Sequence, residues 1–284
     1  MSDRVLAPLH VPLPGGRITA EQLAALAEAV DALGDGHIEH AGRGGLRVPG
    51  VDAGRCAEFA ARLAATGLGT HGDGRPVPPV VVSPLAGRIG GSQTLWSIAD
   101  QLDAALTDAA AVSELSDRCW FGLDDGRGDV LAHSPDVAAV WTGSSAAELV
   151  LGGRRTAQII VLEHLAEALL AAARDVQRHA EPPAPQTRPA PRVGWFDQDD
   201  GRVLLGAVTA NGRMTARQAQ FAAAIGAPLI VTADRELLIA DLTEGVAETV
   251  VRVLAPLGFS FDANSPWARP DEPSARQPAP DGAR

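Results

Sequence analysis

The feature that most limits what this chain can fold into is an internal repeat. Gly16-Arg17-Ile18-Thr19-Ala20-Glu21-Gln22 returns as Gly212-Arg213-Met214-Thr215-Ala216-Arg217-Gln218. In each copy a Thr with a Gln three residues on fits a capping box: the Thr oxygen accepts from the third helical amide and the Gln reaches back to the cap amide. Both strings therefore start helices, and Leu23, Leu26, Ala27, Val30 and Leu33 recur at helical spacing after the first. A strand candidate follows in each copy, His37 to Val48 and Leu229 to Ile239. Next comes a second apolar helix, Ala53 to Ala65 carrying Phe59 and Leu63, and Thr243 to Leu257 carrying Val246, Val250, Val253 and Leu254. A glycine and an apolar residue close each unit, Gly67-Leu68 and Gly258-Phe259. The offset between copies is 196 residues at Gly16/Gly212, 192 at Arg43/Arg235 and 191 at Gly67/Gly258, so the second copy has shorter loops. Helices alternating with strands in such a unit predict an α+β sandwich of ferredoxin-like type.

Proline and glycine punctuation sets the organisation around the copies. It divides the 284 residues into a first half-domain at 1–72, a mixed α/β domain at 76–178, a Pro-rich linker at 179–192, a second half-domain at 193–261 and a tail at 262–284 without a fixed fold. In the middle block, Val77 to Pro84 reads as a strand, and Leu95, Ile98, Leu102 and Leu106 share one helix face. Cys119 to Leu123 reads as a buried strand, Asp124 to Asp129 as a turn, and Val130-Leu131-Ala132 as the hairpin partner. A long helix is expected from about Thr156 to Gln177.

Charge and cysteine usage exclude several functions. Twenty-four basic residues, all Arg, stand against 35 acidic ones for a net charge of −11, which argues against nucleic-acid binding. The two cysteines, Cys56 and Cys119, supply neither a disulfide framework nor a four-thiolate site, and read as reduced thiols of a cytoplasmic protein. No segment has the length of apolar sequence that a signal peptide or a membrane span requires. Asp124, Asp125 and Asp129 lack calcium-loop spacing, and His37 and His40 have no third ligand near in sequence, so no metal site is expected. Arg17 and Arg213 read as turn residues before helix starts.

Four strings carry a family resemblance. Pro14-Gly15-Gly16-Arg17-Ile18-Thr19-Ala20-Glu21-Gln22-Leu23, Arg43-Gly44-Gly45-Leu46-Arg47-Val48, Ser83-Pro84-Leu85-Ala86-Gly87 and Phe121-Gly122-Leu123-Asp124-Asp125-Gly126-Arg127-Gly128-Asp129-Val130 resemble the nitrite/sulfite reductase superfamily. Within it the sequence is most similar to the precorrin-3B synthases of aerobic cobalamin biosynthesis. The resemblance implies two ferredoxin-like half-domains related by pseudo-twofold symmetry, flanking a mixed α/β domain. It also implies oxidoreductase chemistry on or through a polycarboxylate tetrapyrrole, a precorrin or sirohaem, with a cubane iron–sulfur cluster.

Where the sequence departs from the family, chemistry is in question. The family enters its cluster cysteines after the string that is Asn264-Ser265-Pro266-Trp267 here, and this sequence continues Ala268-Arg269-Pro270 instead. Pro78-Pro79-Val80-Val81-Val82 stands where the family has Arg-Asn, Gly45 where it has Asn, and Asp234 where it has an aromatic. Two cysteines do not ligate a cubane. The resemblance therefore implies a separate cluster-bearing polypeptide, or a non-catalytic tetrapyrrole-binding or structural remnant, or a frameshift after Trp267. Carboxylates on a macrocycle call for arginine, whose planar fork pairs with them bidentately. Arg43, Arg47 and Arg235 are the cofactor-binding candidates, with Arg43 and Arg235 at matching points of the two copies, although Asp234 and Glu236 flank the latter.

Overall fold

A computed structural model describes residues 8–69, 77–107, 115, 119–143, 145–176 and 189–268. The expected linker lies outside them except for 189–192, and the expected tail except for 262–268. In chain order the elements of the first block are β1 (Leu9–Val11), β2 (Arg17–Ile18), α1 (Ala20–Leu33), β3 (His37–Gly42), β4 (Gly45–Val48) and α2 (Cys56–Ala64). The middle block holds β5 (Val80–Val82), α3 (Thr94–Leu106), β6 (Phe121–Asp124), β7 (Val137–Trp141), β8 (Ala146–Leu151), β9 (Arg154–Val161) and α4 (Leu165–Val176). The last block holds β10 (Gly194–Asp197), β11 (Val203–Thr209), β12 (Arg213–Thr215), α5 (Ala216–Ala223), β13 (Leu229–Val231), β14 (Leu237–Leu242), α6 (Glu244–Leu254) and β15 (Phe259–Ser260). The fold is α+β, as the repeat predicts.

The duplication is visible in its hydrogen bonds. Both capping boxes form, at Thr19/Gln22 and Thr215/Gln218. Each Gln also donates to a carbonyl at the end of its copy's second helix, Gln22 to Thr66 at 3.2 Å and Gln218 to Leu257 at 2.8 Å. The copies exchange strands: β12 of the second pairs with β3 of the first, and β2 of the first pairs with β13 of the second. The sheets are thus β1-β4-β3-β12 and β10-β11-β14-β13-β2. α1 packs on α5, and one core runs through both copies, from Leu23, Leu26 and Phe59 to Met214, Ile239 and Leu254. The two half-domains are one folding unit.

The middle block forms its own sheet, β5-β6-β7-β8-β9. Its core includes Leu95, Ile98, Leu102 and Leu106 of α3, together with Leu204, Ile230, Leu238 and Ala240 from the second copy's sheet. That sheet is covered on both faces, by helices on one and by the middle block on the other.

Three sequence expectations change. Residues 130–132 are no hairpin partner: β6 runs parallel to β5 and β7, and Leu131–His133 is a short 3-10 turn. The cause is Asp124, which accepts from the amides of Gly126, Gly128, Val130 and Leu131 at 2.9 to 3.1 Å and winds the chain into a loop. The long helix begins only at Leu165, because Thr156, Ile159, Ile160 and Val161 are β-branched and extend β9 against β8. Each single strand expected in the two copies is a hairpin, β3–β4 and β13–β14.

Candidate functional site

Arg43 and Arg235 sit in these hairpin turns rather than along strands. Arg43 opens the two-residue turn between the paired Gly42 and Gly45, with φ of 49° followed by 72° at Gly44. Arg235 is the last residue of the turn closed by the Thr232 amide on the Glu236 carbonyl at 2.9 Å, with φ of 68°. Left-handed backbone at an arginine carries strain of roughly 1–2 kcal/mol, and both turns hold it. The strand register corrects the sequence equivalence by one residue. Arg17 pairs with Ile230 as Arg213 pairs with Glu39, so the copies are 191 apart here and Arg43 corresponds to Asp234.

The two turns are nevertheless neighbours. Gly16, at φ of 80°, lies against the Val231 carbonyl and Gly44, and a Cβ on it would stand 2.1 Å from that oxygen. Gly212 lies between Arg235 and His40, and His40 Nδ1 is 2.7 Å from the Arg235 carbonyl oxygen. A carbonyl only accepts, so Nδ1 carries the proton, and Nε2 is a buried acceptor without a hydrogen-bond partner. Burial, opposed by the bond to the Arg235 backbone, lowers the His40 pKa to about 4, which leaves the ring neutral at pH 7.

Each arginine keeps an exposed side chain. The Arg43 guanidinium stacks over Trp120 at 5.0 Å and borders a cavity of about 300 Å³ lined by His10, Leu13, Ala41, Pro79 and Asp103 among others. Beside it, burial raises the carboxyl pKa of Asp136, against the hydrogen bond from the Trp120 amide at 3.1 Å and the charge of Arg43. Burial, with Asp136, pushes the Cys119 thiol up to about 12, so it is no thiolate. Cys56 lies apart on α2, its Sγ 3.4 Å from the Asp52 carbonyl.

Arg47 is elsewhere. It faces out from β4 and donates to Glu39 at 2.9 Å, and Glu39 also meets Arg213 at 3.3 Å. It is already matched by a carboxylate. Arg17 stacks over Trp96 at 5.1 Å and pairs with Asp100, beside a cavity of about 810 Å³ between α1, α3 and the loop before β13.

Asp234 and Glu236, expected to neutralise Arg235, serve another arginine. Arg192, expected to end the linker, is buried and reaches Asp234 at 2.9 Å, Glu236 at 3.3 Å and Asp129 at 3.7 Å. Nothing in the sequence marked it, since its partners lie on two other loops. Asp124, Asp125 and Asp129 do come within 4.8 Å of one another. The oxygens of Asp124 are taken by four backbone amides, and Asp125 holds Arg127, so the trio is loop architecture. The Ser83-Pro84-Leu85-Ala86-Gly87 string closes on the same loop: Ser83 Oγ donates to Asp129 at 2.5 Å and accepts from the Asp125 amide at 3.0 Å.

Comparison with known proteins agrees with this geometry. Residues 9–66 match the family described as the nitrite/sulfite reductase ferredoxin-like half domain. Strand exchange makes 203–254 its structural partner, since β11 to α6 repeat β1 to α2. The solved structure of Mycobacterium tuberculosis NirA has the same fold, at a TM-score of 0.78 and 18% identity over 92% of this chain. The chain spans 58% of the length of NirA. No curated protein matches in sequence. Among the described residues, no helix is long and apolar enough to cross a membrane.

Proposed function

We propose that this chain binds a polycarboxylate tetrapyrrole, a precorrin or sirohaem, as a precorrin-3B synthase-like member of an oxidoreductase system in the cytoplasm. The observation that carries the reading is the pair of exposed arginines on adjacent hairpin turns, tied together by Gly16, Gly212 and His40. Two planar forks held on strained, close-packed turns suit carboxylates on the rim of a rigid ring. Trp120, buried under Arg43, orients that fork by stacking. Arg47, engaged by Glu39, contributes less.

The residues present do not fit a cubane cluster. Cys119 is buried with a raised pKa, Cys56 is on another element, and the sequence holds no further thiol. Electron transfer through such a cluster therefore relies on thiolates other than those of residues 1–284 in this reading. The same observation favours a second reading, in which the chain binds the macrocycle without redox chemistry.

Titration of the full chain with sirohaem, followed by absorbance, tests the site. Arg43→Ala is expected to weaken binding by about 10- to 150-fold, the equivalent of losing roughly 1.5–3 kcal/mol of charge-assisted pairing. Affinity unchanged in both Arg43→Ala and Arg235→Ala would remove the site from these turns.

A further inference from the structure

The outer helices of the two copies, α2 and α6, match position by position and differ along one stripe. At an offset of 191 residues Phe59 and Leu63 correspond to Val250 and Leu254, and all four are buried in the shared core. Beside that buried row the first copy carries Arg55, just before α2, with Glu58 and Arg62, all about half exposed. Glu58 lies 3.4 Å from Arg55 and 2.7 Å from Arg62, the pairing expected of a helix face in water. In the second copy the same positions are Val246, Thr249 and Val253, and the two valines are 45% and 42% exposed. They recur at helical spacing and form one stripe along α6. The hairpins show what such an exchange does in this fold. Glu39 and Arg47 of the first copy are Ile230 and Leu238 in the second, where the middle block covers them. On α6 the apolar stripe stays open among the described residues. Residues 177–188 and 269–284 contain no Val, Ile, Leu, Met, Phe or Trp with which to fill it.

We propose that the Val246–Thr249–Val253 stripe is a dimer contact, seated on the same stripe of a second copy of this chain with the two α6 helices antiparallel. A twofold contact uses one patch twice, and a row of valines is complementary to itself. The charges of α6 set the direction. Glu244 and Glu248 lie in its N-terminal half and Arg252 in its C-terminal half, on the solvent side of the stripe. Antiparallel packing brings Arg252 beside Glu248 of the partner subunit, whereas parallel packing brings like charges together. Two turns of helix bury less than about 1,200 Å² in total, the low end of specific interfaces, so the dimer is weak and reversible. The contact is remote in kind from the arginine turns and does not depend on the tetrapyrrole reading.

Sedimentation velocity of the full chain, from micromolar to near-millimolar concentration, tests this, and a reversible monomer–dimer equilibrium is expected. Transplanting the first copy's stripe, as Val246→Arg with Thr249→Glu and Val253→Arg, should raise the dimer dissociation constant at least about tenfold. Charges then replace the apolar contact, while their pairing along the helix keeps α6 folded. If the triple variant loses its helical circular dichroism, Val253→Arg alone gives the same readout. Arg252→Glu should weaken the dimer, and adding Glu248→Arg to it should restore the association. A chain that stays monomeric throughout overturns the proposal in favour of an unlike partner or a segment of this chain. A dimer that the stripe variants leave intact, or a charge swap without rescue, overturns it as well.

Discussion

Where the first copy pairs Glu39 with Arg47 across β3 and β4, the second pairs Ile230 with Leu238 across β13 and β14. The register makes these the same two positions of one repeated hairpin. In the first copy they form an ion pair on the open face of the sheet, with side chains 22% and 41% exposed. In the second they are 1% and 0% exposed and join the core of the middle block. Duplication kept the backbone, and the change from charged to apolar side chains made one sheet face a docking surface. The first copy's outer face was left polar, with Arg43 exposed at its turn. One copy supplies the attachment and the other the accessible surface.

Exchanging the two residues tests that division most severely. Leu238→Arg puts an unpaired charge under the middle block and removes its packing, for a loss on the order of 5 kcal/mol in urea unfolding. Arg47→Leu in the first copy breaks only a half-exposed ion pair and is expected to change stability by less than about 1 kcal/mol. Equal losses at both positions would mean that the two faces are not used differently.

His40 marks a second divergence, because Val231 holds its place in the other copy. Burial lowers the His40 pKa from 6.5 to about 4. Its neutral form is the folded form, so stability is complete above about pH 6.5 and is lost as pH falls from there towards 4. The shift corresponds to about 3 kcal/mol. His40→Val should remove that acid loss, at a neutral-pH cost of about 1 kcal/mol because the Arg235 carbonyl loses its donor. Thermal unfolding across this pH range measures both effects. An identical acid slope in wild type and variant would show that His40 is charged in the fold.

What the sequence made legible was local. The capping boxes and the closing glycines depend on residues close in sequence, and both appear in the structure as read. The Ser-Pro-Leu-Ala-Gly string and the Asp124 loop were legible as distinctive but not as partners, because Ser83 and Asp129 meet only after β5 and β6 align in parallel. The turns were harder. A glycine-rich run such as Gly42-Arg43-Gly44-Gly45 is compatible with several registers, and one residue of slip changes which side chain occupies the tip. Arg192 was illegible because two of its carboxylates lie on a turn more than 40 residues away, brought near by the pairing of β10, β11 and β14, and the third, Asp129, arrives only when the middle block docks.

The finest difference between the copies lies at the glycines before the two helices. Gly16 and Gly212 both have left-handed backbone, at φ of 80° and 63°. The positive φ alone costs alanine roughly 1–2 kcal/mol at either site. Their neighbours differ. A Cβ at Gly16 would meet the Val231 backbone oxygen at 2.1 Å, and a backbone carbonyl of β13 cannot withdraw without moving its strand. At Gly212 the nearest atom is a side-chain methylene of Arg235 at 3.2 Å, which has an exposed guanidinium and room to swing away. Gly16→Ala should therefore cost about 1–2 kcal/mol more than Gly212→Ala in equilibrium unfolding. Gly212→Ala should instead displace Arg235 and weaken sirohaem binding, with a stability loss limited to the roughly 1–2 kcal/mol of its positive φ. A larger stability loss at Gly212 than at Gly16 would place the tight contact between the copies on the other side of the pseudo-twofold axis.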